Sequence, residues 1–185
     1  RFVVMYLGAH GISHALTCIV DVAQALSNHG DVVFVLVGDG AEKERVIAYA
    51  KSKKLSNMRF LPSQPKERVP AYYSIASVCL VPLRDIPLFD TFIPSKMFEI
   101  MAMGTPVVAS VRGEAAGILT ASGGALVCQP ESASEISEAV STLYSDSHKR
   151  QELGARGRQF VEQHYDRRKL AADYVRLLEQ VNRPI

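Results

Sequence analysis

What this chain lacks narrows its class before any motif is read. It has no dense run of lysine and arginine, and its net charge is only +2. The electrostatic footprint of a nucleic-acid binder is therefore absent. Cysteine is scarce: Cys18, Cys79 and Cys128 lie far apart in apolar contexts. They match neither a zinc spacing nor a disulfide framework, so they read as small core residues in a reducing compartment. No apolar run is long enough to span a bilayer, and no signal peptide is visible. The expected location is cytoplasmic. Internal repeats and low-complexity segments are missing, as are any Ser-His-Asp or Cys-His arrangement and any acidic metal motif.

What is present is the composition of a globular α/β domain: 185 residues, 48% apolar and 22% charged, enough for one core. Phe2 to Leu7 is a continuous apolar run, as expected of a strand buried on both faces of a parallel sheet. Five more strands are expected at Val32–Val37, Met58–Leu61, Ser77–Val81, Pro106–Ser110 and Ala125–Cys128. Helical patterns fall between them: Ala15–Leu26, Ala41–Lys54, Lys66–Ile75 with a late start or break at Pro70, a short polar helix Gly113–Leu119, and Pro130–Tyr144. Ser147–His164 and Asp166–Val181 read as two closing helices and Asn182–Ile185 as a tail. Strict alternation implies a doubly wound parallel sheet, with strand order 3-2-1-4-5-6. The chain starts directly at a core strand, so residues 1–185 are expected to be a single domain excised from a larger protein.

The segment Phe89–Val108, FDTFIPSKMFEIMAMGTPVV, organises the rest. Pro94 suits the first turn of a helix, Met97, Phe98, Ile100, Met101 and Met103 form its apolar surface, and Gly104 ends it at C′. Lys96 and Glu99 share a face. They fit either a ligand site at a helix start or a surface ion pair on an amphipathic helix.

Ligands of such sheets bind beyond the carboxyl ends of the strands, near the switch point between the first and fourth. Four loops meet there: Gly8–His14, Gly38–Gly40, Ser63–Pro65 and Arg84–Lys96. GAHGISH follows a strand and opens a helix, where backbone N–H groups can meet a phosphate, although it is neither GxGxxG nor a Walker A sequence. Ser13 can equally cap the helix, and His10 with His14 is a weak metal pair without an acidic neighbour. Asp39 can hold a ribose hydroxyl or make a turn. Tyr72 and Tyr73 read as packing residues.

The stretch PSKMFEIMAMGTPVVAS, behind a strand ending in VPL, resembles the C-terminal half of GT-B-fold retaining glycosyltransferases, family four (glycosyltransferases group 1). The likeness extends through GDG, NMRFLPSQPKERVPAYYSIASVCLVPL and GGALVCQPESASEISEAV to FVEQHYDRRKLAADYVRLLEQV. It implies a Rossmann-like, nucleotide-sugar-binding domain, its N-terminal acceptor domain absent from this chain. The family has two glutamates separated by seven residues; Glu99 matches the second, with an implied ribose contact, and the first falls on Thr91. Asp90, beside it, is the substitute expected near the donor sugar. Where many members carry an arginine and a lysine in the first loop, this chain has Ala9 and His14. Lys96, helped by Arg84, then becomes the expected cation for the donor diphosphate, with Gly8, Gly11 and His14 around it. Ser63, Gln64 and Pro65 match the turn that touches the base.

The resemblance implies a UDP-sugar donor and no metal or other cofactor. It implies same-face attack by an acceptor hydroxyl, with no protein nucleophile assigned. The expected function is donor binding in a hexosyltransferase of bacterial surface polysaccharide or lipopolysaccharide biosynthesis, with a lipid-linked acceptor at the inner face of the cytoplasmic membrane. The isolated domain is expected to be inactive. The alternatives are a GT-B nucleotide-sugar 2-epimerase and a non-catalytic, degenerate α/β binding domain, the latter suggested by Ala9, His14 and Thr91.

Overall fold

In β1, Phe2–Leu7, neighbouring side chains go to opposite cores. Val4 and Tyr6 join one apolar cluster and Met5 the other, as the period-two geometry of a strand requires. The computed structural model describes residues 1–181, so the expected tail Asn182–Ile185 lies outside the described residues. The remaining strands are β2 Val32–Val37, β3 Met58–Leu61, β4 Val78–Pro82, β5 Val107–Ser110 and β6 Ala125–Cys128. They form one wholly parallel six-stranded sheet in the order β3-β2-β1-β4-β5-β6, the expected doubly wound arrangement.

Helices cover both faces. Against the first cluster lie α1 (Leu16–Ala25), α2 (Lys43–Ser52) and α6 (Ala133–Ser145), which contribute Ile19, Val22, Val46, Val140 and Leu143. Against the second lie α3 (Val69–Ile75), α4 (Lys96–Ala102), α5 (Gly113–Ser122) and α7 (Ser147–His164), which contribute Tyr73, Met97, Met101, Leu119 and Val161. The last helix, α8 (Arg167–Val181), buries no residue. All three cysteines are buried and free. No described helix is long and apolar enough to cross a membrane.

Most departures from the expected boundaries have local causes. Pro94 stands ahead of α4 rather than in its first turn: Ser95 is the N-cap, and the Pro94 carbonyl accepts the Met97 N–H at 3.0 Å. Pro70 does delay its helix; a 3-10 turn at Lys66–Arg68 precedes α3, and the proline falls in the first helical turn, where its missing N–H is harmless. Helix α5 runs three residues past Leu119 to Ser122, because buried Leu119 and Ser122 keep docking it. Helix α6 starts at Ala133, not Pro130. Ser132 accepts from the Glu135 N–H at 3.4 Å, and the Glu135 carboxylate turns back to the Gln129 N–H at 2.9 Å.

Helix α7 approaches the sheet layer through glycines. A Cβ on Gly154 would run into the Gly104 carbonyl, and one on Gly124 would run into the backbone of Gly157. Gly154→Ala is therefore expected to destabilise the protein by about 1–3 kcal/mol in urea unfolding, despite alanine's better helix propensity. Gly117→Ala is the control: its Cβ meets nothing within 4 Å, so it should be neutral or stabilising. Equal effects at the two positions would show that close approach is not what α7 requires.

Candidate functional site

Three of the four expected loops are joined by backbone hydrogen bonds at the carboxyl ends of the strands. Gly8 N–H donates to the Val37 carbonyl at 3.0 Å, His10 N–H to Asp39 at 2.8 Å, and Arg84 N–H to Ser13 at 2.9 Å. Gly38 N–H reaches Leu61 at 3.2 Å, which ties in the end of β3. The approach is close enough to demand glycine twice. Gly8 and Gly38 both have φ of +147°, and a Cβ on Gly38 would strike the Gly8 carbonyl. Ala15, which opens α1, is held at φ 45° without a side-chain cap. A left-handed alanine costs on the order of 1 kcal/mol, a local strain kept at this edge.

Lys96 sits at the centre. Its stem is partly exposed, but its Nζ is shut off from solvent and has no hydrogen-bond partner. The amine lies 4.2 Å above the centroid of the Tyr6 ring, and a Cβ on Gly8 would run into it. No ion pair joins it to Glu99 or to any other described carboxylate. The surface ion pair that spacing alone allowed is therefore not formed. Burial lowers the Lys96 pKa to about 8, against partial support from Glu99 and Cys79. A shift of this size amounts to about 3 kcal/mol held against the charged form.

Around the amine, His10 is wholly buried with both ring nitrogens unpartnered. Burial, then Lys43 and Lys96, push its pKa down; Asp39 opposes. Burial and Lys96 push His14 down to about 4. The centroids of the two rings lie 5.8 and 5.9 Å from that of Tyr6, so both flank one side chain. Tyr6 donates its hydroxyl to the Ala9 carbonyl at 2.5 Å, and burial raises its pKa. Sequence reading passed over Tyr6, although a polar ring two residues before Gly8, at the end of a buried strand, must reach the switch point.

The other expected residues divide. Glu99 lines a groove of about 260 Å³ between α3 and α4, with Lys66, Val69, Tyr73 and Arg167. Ser63 and Pro65 are exposed just before Lys66, and the Gln64 side chain turns back to the Pro62 carbonyl at 3.0 Å. Gly11 is half-buried beside His14. Thr91 is exposed at the end of a 3-10 turn, Pro87–Thr91. Asp90 is engaged: its carboxylate lies 3.4 Å from Arg112 Nε. Asp39 makes the turn, accepting the Gly40 N–H at 3.0 Å and facing Lys43 at 3.4 Å; these contacts hold its pKa below the ordinary carboxylate value.

A charge asymmetry follows. Asp39, Glu42, Asp85, Asp90, Glu131 and Glu135 all contact a cation or a backbone N–H of the chain itself. Lys96, Arg84 and Lys66 have no ion pair among the described residues. Glu99 is the one carboxylate of the expected site residues without an ion pair among the described residues; the unpaired cations give the edge a local positive potential.

The fold and this edge define a Rossmann-like α/β domain with an anion-ready switch point. Residues 2–160 match the family described as Glycosyl transferases group 1, and the chain belongs to that family. A stretch of 102 residues is 29% identical to a protein of Escherichia coli K12 named as a putative colanic acid biosynthesis glycosyl transferase, WcaI; it covers 55% of this chain and 25% of that one. Sucrose-phosphate synthase from Thermosynechococcus elongatus superposes with a TM-score of 0.86 at 24% identity, over 98% of this chain and 45% of that one. Anabaena HepE, solved with UDP and glucose, gives 0.85 at 17% identity, over 97% and 48%. The chain thus spans less than half the length of these relatives. The structural likenesses establish the fold, that of GT-B glycosyltransferase domains.

The histidines set a pH dependence. An unfolded histidine binds its proton near pH 6.5, whereas folded His14 resists until about pH 4. Its contribution is intact above pH 6.5 and is lost as pH falls toward 4. Solvent screening at this partly exposed ring reduces the full linkage value, leaving on the order of 1 kcal/mol between pH 7.5 and 5. His14→Gln should flatten the fall in denaturant-unfolding stability over that interval. An unchanged slope would show that His14 does not carry it.

Proposed function

We propose that this domain binds the donor of a retaining, nucleotide-sugar-dependent glycosyltransferase of family four. The observation that carries the reading is the Lys96 amine, desolvated and without a counter-ion, at the switch point of a doubly wound sheet. A nucleoside diphosphate supplies the missing negative charge. As it leaves the sugar its charge grows, and a cation waiting in a low-dielectric pocket favours that state. Arg84, the Gly8 and Gly11 backbone and His14 complete the diphosphate surroundings. Glu99 takes the ribose, Ser63, Gln64 and Pro65 take the base, and Asp90 and Thr91 lie toward the donor sugar. Charge neutralisation by side-chain cations makes a metal ion unnecessary in this reading.

UDP is the nucleotide we infer, since HepE, a structural neighbour, was solved with UDP. The similarity to WcaI supports a role in bacterial surface polysaccharide assembly. The intact enzyme transfers a hexose to an acceptor, lipid-linked at the membrane surface, held by a second domain. The domain alone binds the donor without transferring it.

Lys96→Met provides the test, because function and stability should move in opposite directions. Removing an unpaired buried amine should raise the melting temperature by a few degrees. UDP binding, followed calorimetrically on the full-length protein, should fall by at least tenfold. A variant that binds UDP unchanged would remove Lys96 from the donor site, and one less stable than the wild type would show that the amine is not held at a cost to folding. Glu99→Ala tests the ribose contact: it should weaken UDP and uridine alike, by about 1–3 kcal/mol if its carboxylate accepts ribose hydroxyls. Unchanged affinity for both would exclude that contact.

A further inference from the structure

The connection from β4 to α4, residues 83–95, leads into Lys96, and its Arg84 N–H donates to Ser13 in the first loop. In the donor reading, whatever lies beyond a bound diphosphate therefore meets this loop. Leu83 is buried and Phe89 and Ile93 pack against the second core cluster, while Ile86, Leu88 and Phe92 are 38%, 75% and 45% exposed. Polar contacts add to these apolar anchors. Arg112, in the connection from β5 to α5, places Nη2 2.7 Å from the Asp85 carboxylate and Nε 3.4 Å from that of Asp90. Glu131, from the connection between β6 and α6, accepts the Asp85 N–H at 2.8 Å. Gly113, at φ +60°, lies against the Asp90 backbone so closely that a Cβ would run into its carbonyl. On the other side, Arg84 is pinned to Ser13. Asp90 is thus gripped through both its side chain and its main chain.

We propose that Arg112 is a positioning residue that sets the β4–α4 loop against the donor sugar. The inference rests on the donor reading above and deepens it. With both aspartates taken by one guanidinium, the loop offers the sugar the Thr91 hydroxyl and backbone groups, not a free carboxylate. One guanidinium against two carboxylates leaves this cluster net negative, so the sugar side stays acidic where the diphosphate side is cationic.

Magnitudes separate this role from a merely structural one. Ion pairs as exposed as these contribute little to stability, whereas a loop already in its bound shape spares the ligand the cost of ordering it. Arg112 should therefore matter to sugar recognition far more than to folding. The guanidinium bridges two carboxylates, which a lysine ammonium reaches less well, so Arg112→Lys should recover only part of the effect.

The test uses the full-length protein with UDP and with UDP-glucose, UDP-galactose and their N-acetyl forms. Hydrogen exchange of amides 86–92 and calorimetric affinities are the readouts. In the wild type, at least one UDP-sugar should protect these amides beyond the protection UDP gives. Arg112→Gln should abolish that extra protection and weaken that sugar donor about threefold to tenfold, leaving UDP affinity and melting temperature nearly unchanged. Arg112→Lys should restore part of both. No sugar-dependent protection in the wild type, or the same protection in Arg112→Gln, would overturn the proposal. So would parallel loss of UDP and UDP-sugar affinity, which marks a general structural role. Failure of the wild type to bind UDP at all would instead strike down the donor reading on which it rests.

Discussion

A lysine amine kept out of water without a counter-ion is the constraint around which the carboxyl edge is arranged. Burial holds Lys96 near pKa 8, and the contact with the Tyr6 ring offsets only part of the desolvation. Packing alone would favour an uncharged side chain there. Keeping the amine makes sense when the negative charge arrives from outside, which is the ordinary logic of perturbed groups at functional sites. Gly8 borders this nitrogen directly, Gly38 packs against Gly8, and the buried, unpartnered His10 lies within its electrostatic reach.

The same edge handles its carboxylates in the opposite way. Asp39, Asp85, Asp90, Glu131 and Glu135 are engaged within the chain, through a turn, a helix cap or a cross-loop contact, whereas Glu99 has no ion pair among the described residues. The result is not a high net charge, since the whole chain carries only +2, but a local imbalance. Attraction for an anion is concentrated where low-dielectric walls strengthen it. Loops from β1, β2, β4, β5 and β6 contribute, so the edge works as a network, and a change in one loop is felt in its neighbours.

Much of this was legible in the residues. The continuous apolar run Phe2–Leu7, helical spacing in the intervening segments and strict alternation of strands with helices point to a parallel doubly wound sheet. All six strands fall where the apolar runs lie. The gathering of loops at the switch point was legible, and three of the four expected loops are joined there; the roles given to Lys96 and Glu99 belong to the proposal. Boundaries were less so: the end of α5 depends on what Leu119 and Ser122 touch, and the start of α6 on the Ser132 and Glu135 caps. Arg112 and Glu131 left no readable trace, since each acts on a loop tens of residues away in the chain.

By itself, then, the sequence determined the element types, the sheet order and the edge at which the loops gather. These follow from local periodicity and from the right-handed crossovers that a parallel sheet imposes. Only the tertiary structure decided the electrostatics. Whether Lys96 pairs with Glu99 or stands alone over Tyr6 depends on where the helix start packs against β1. Whether Asp90 is free or held depends on Arg112, brought close by the order of the strands. Charge and hydrogen-bond partners are set by distances in space, and a charge's energy depends on the water excluded around it, which no local pattern encodes.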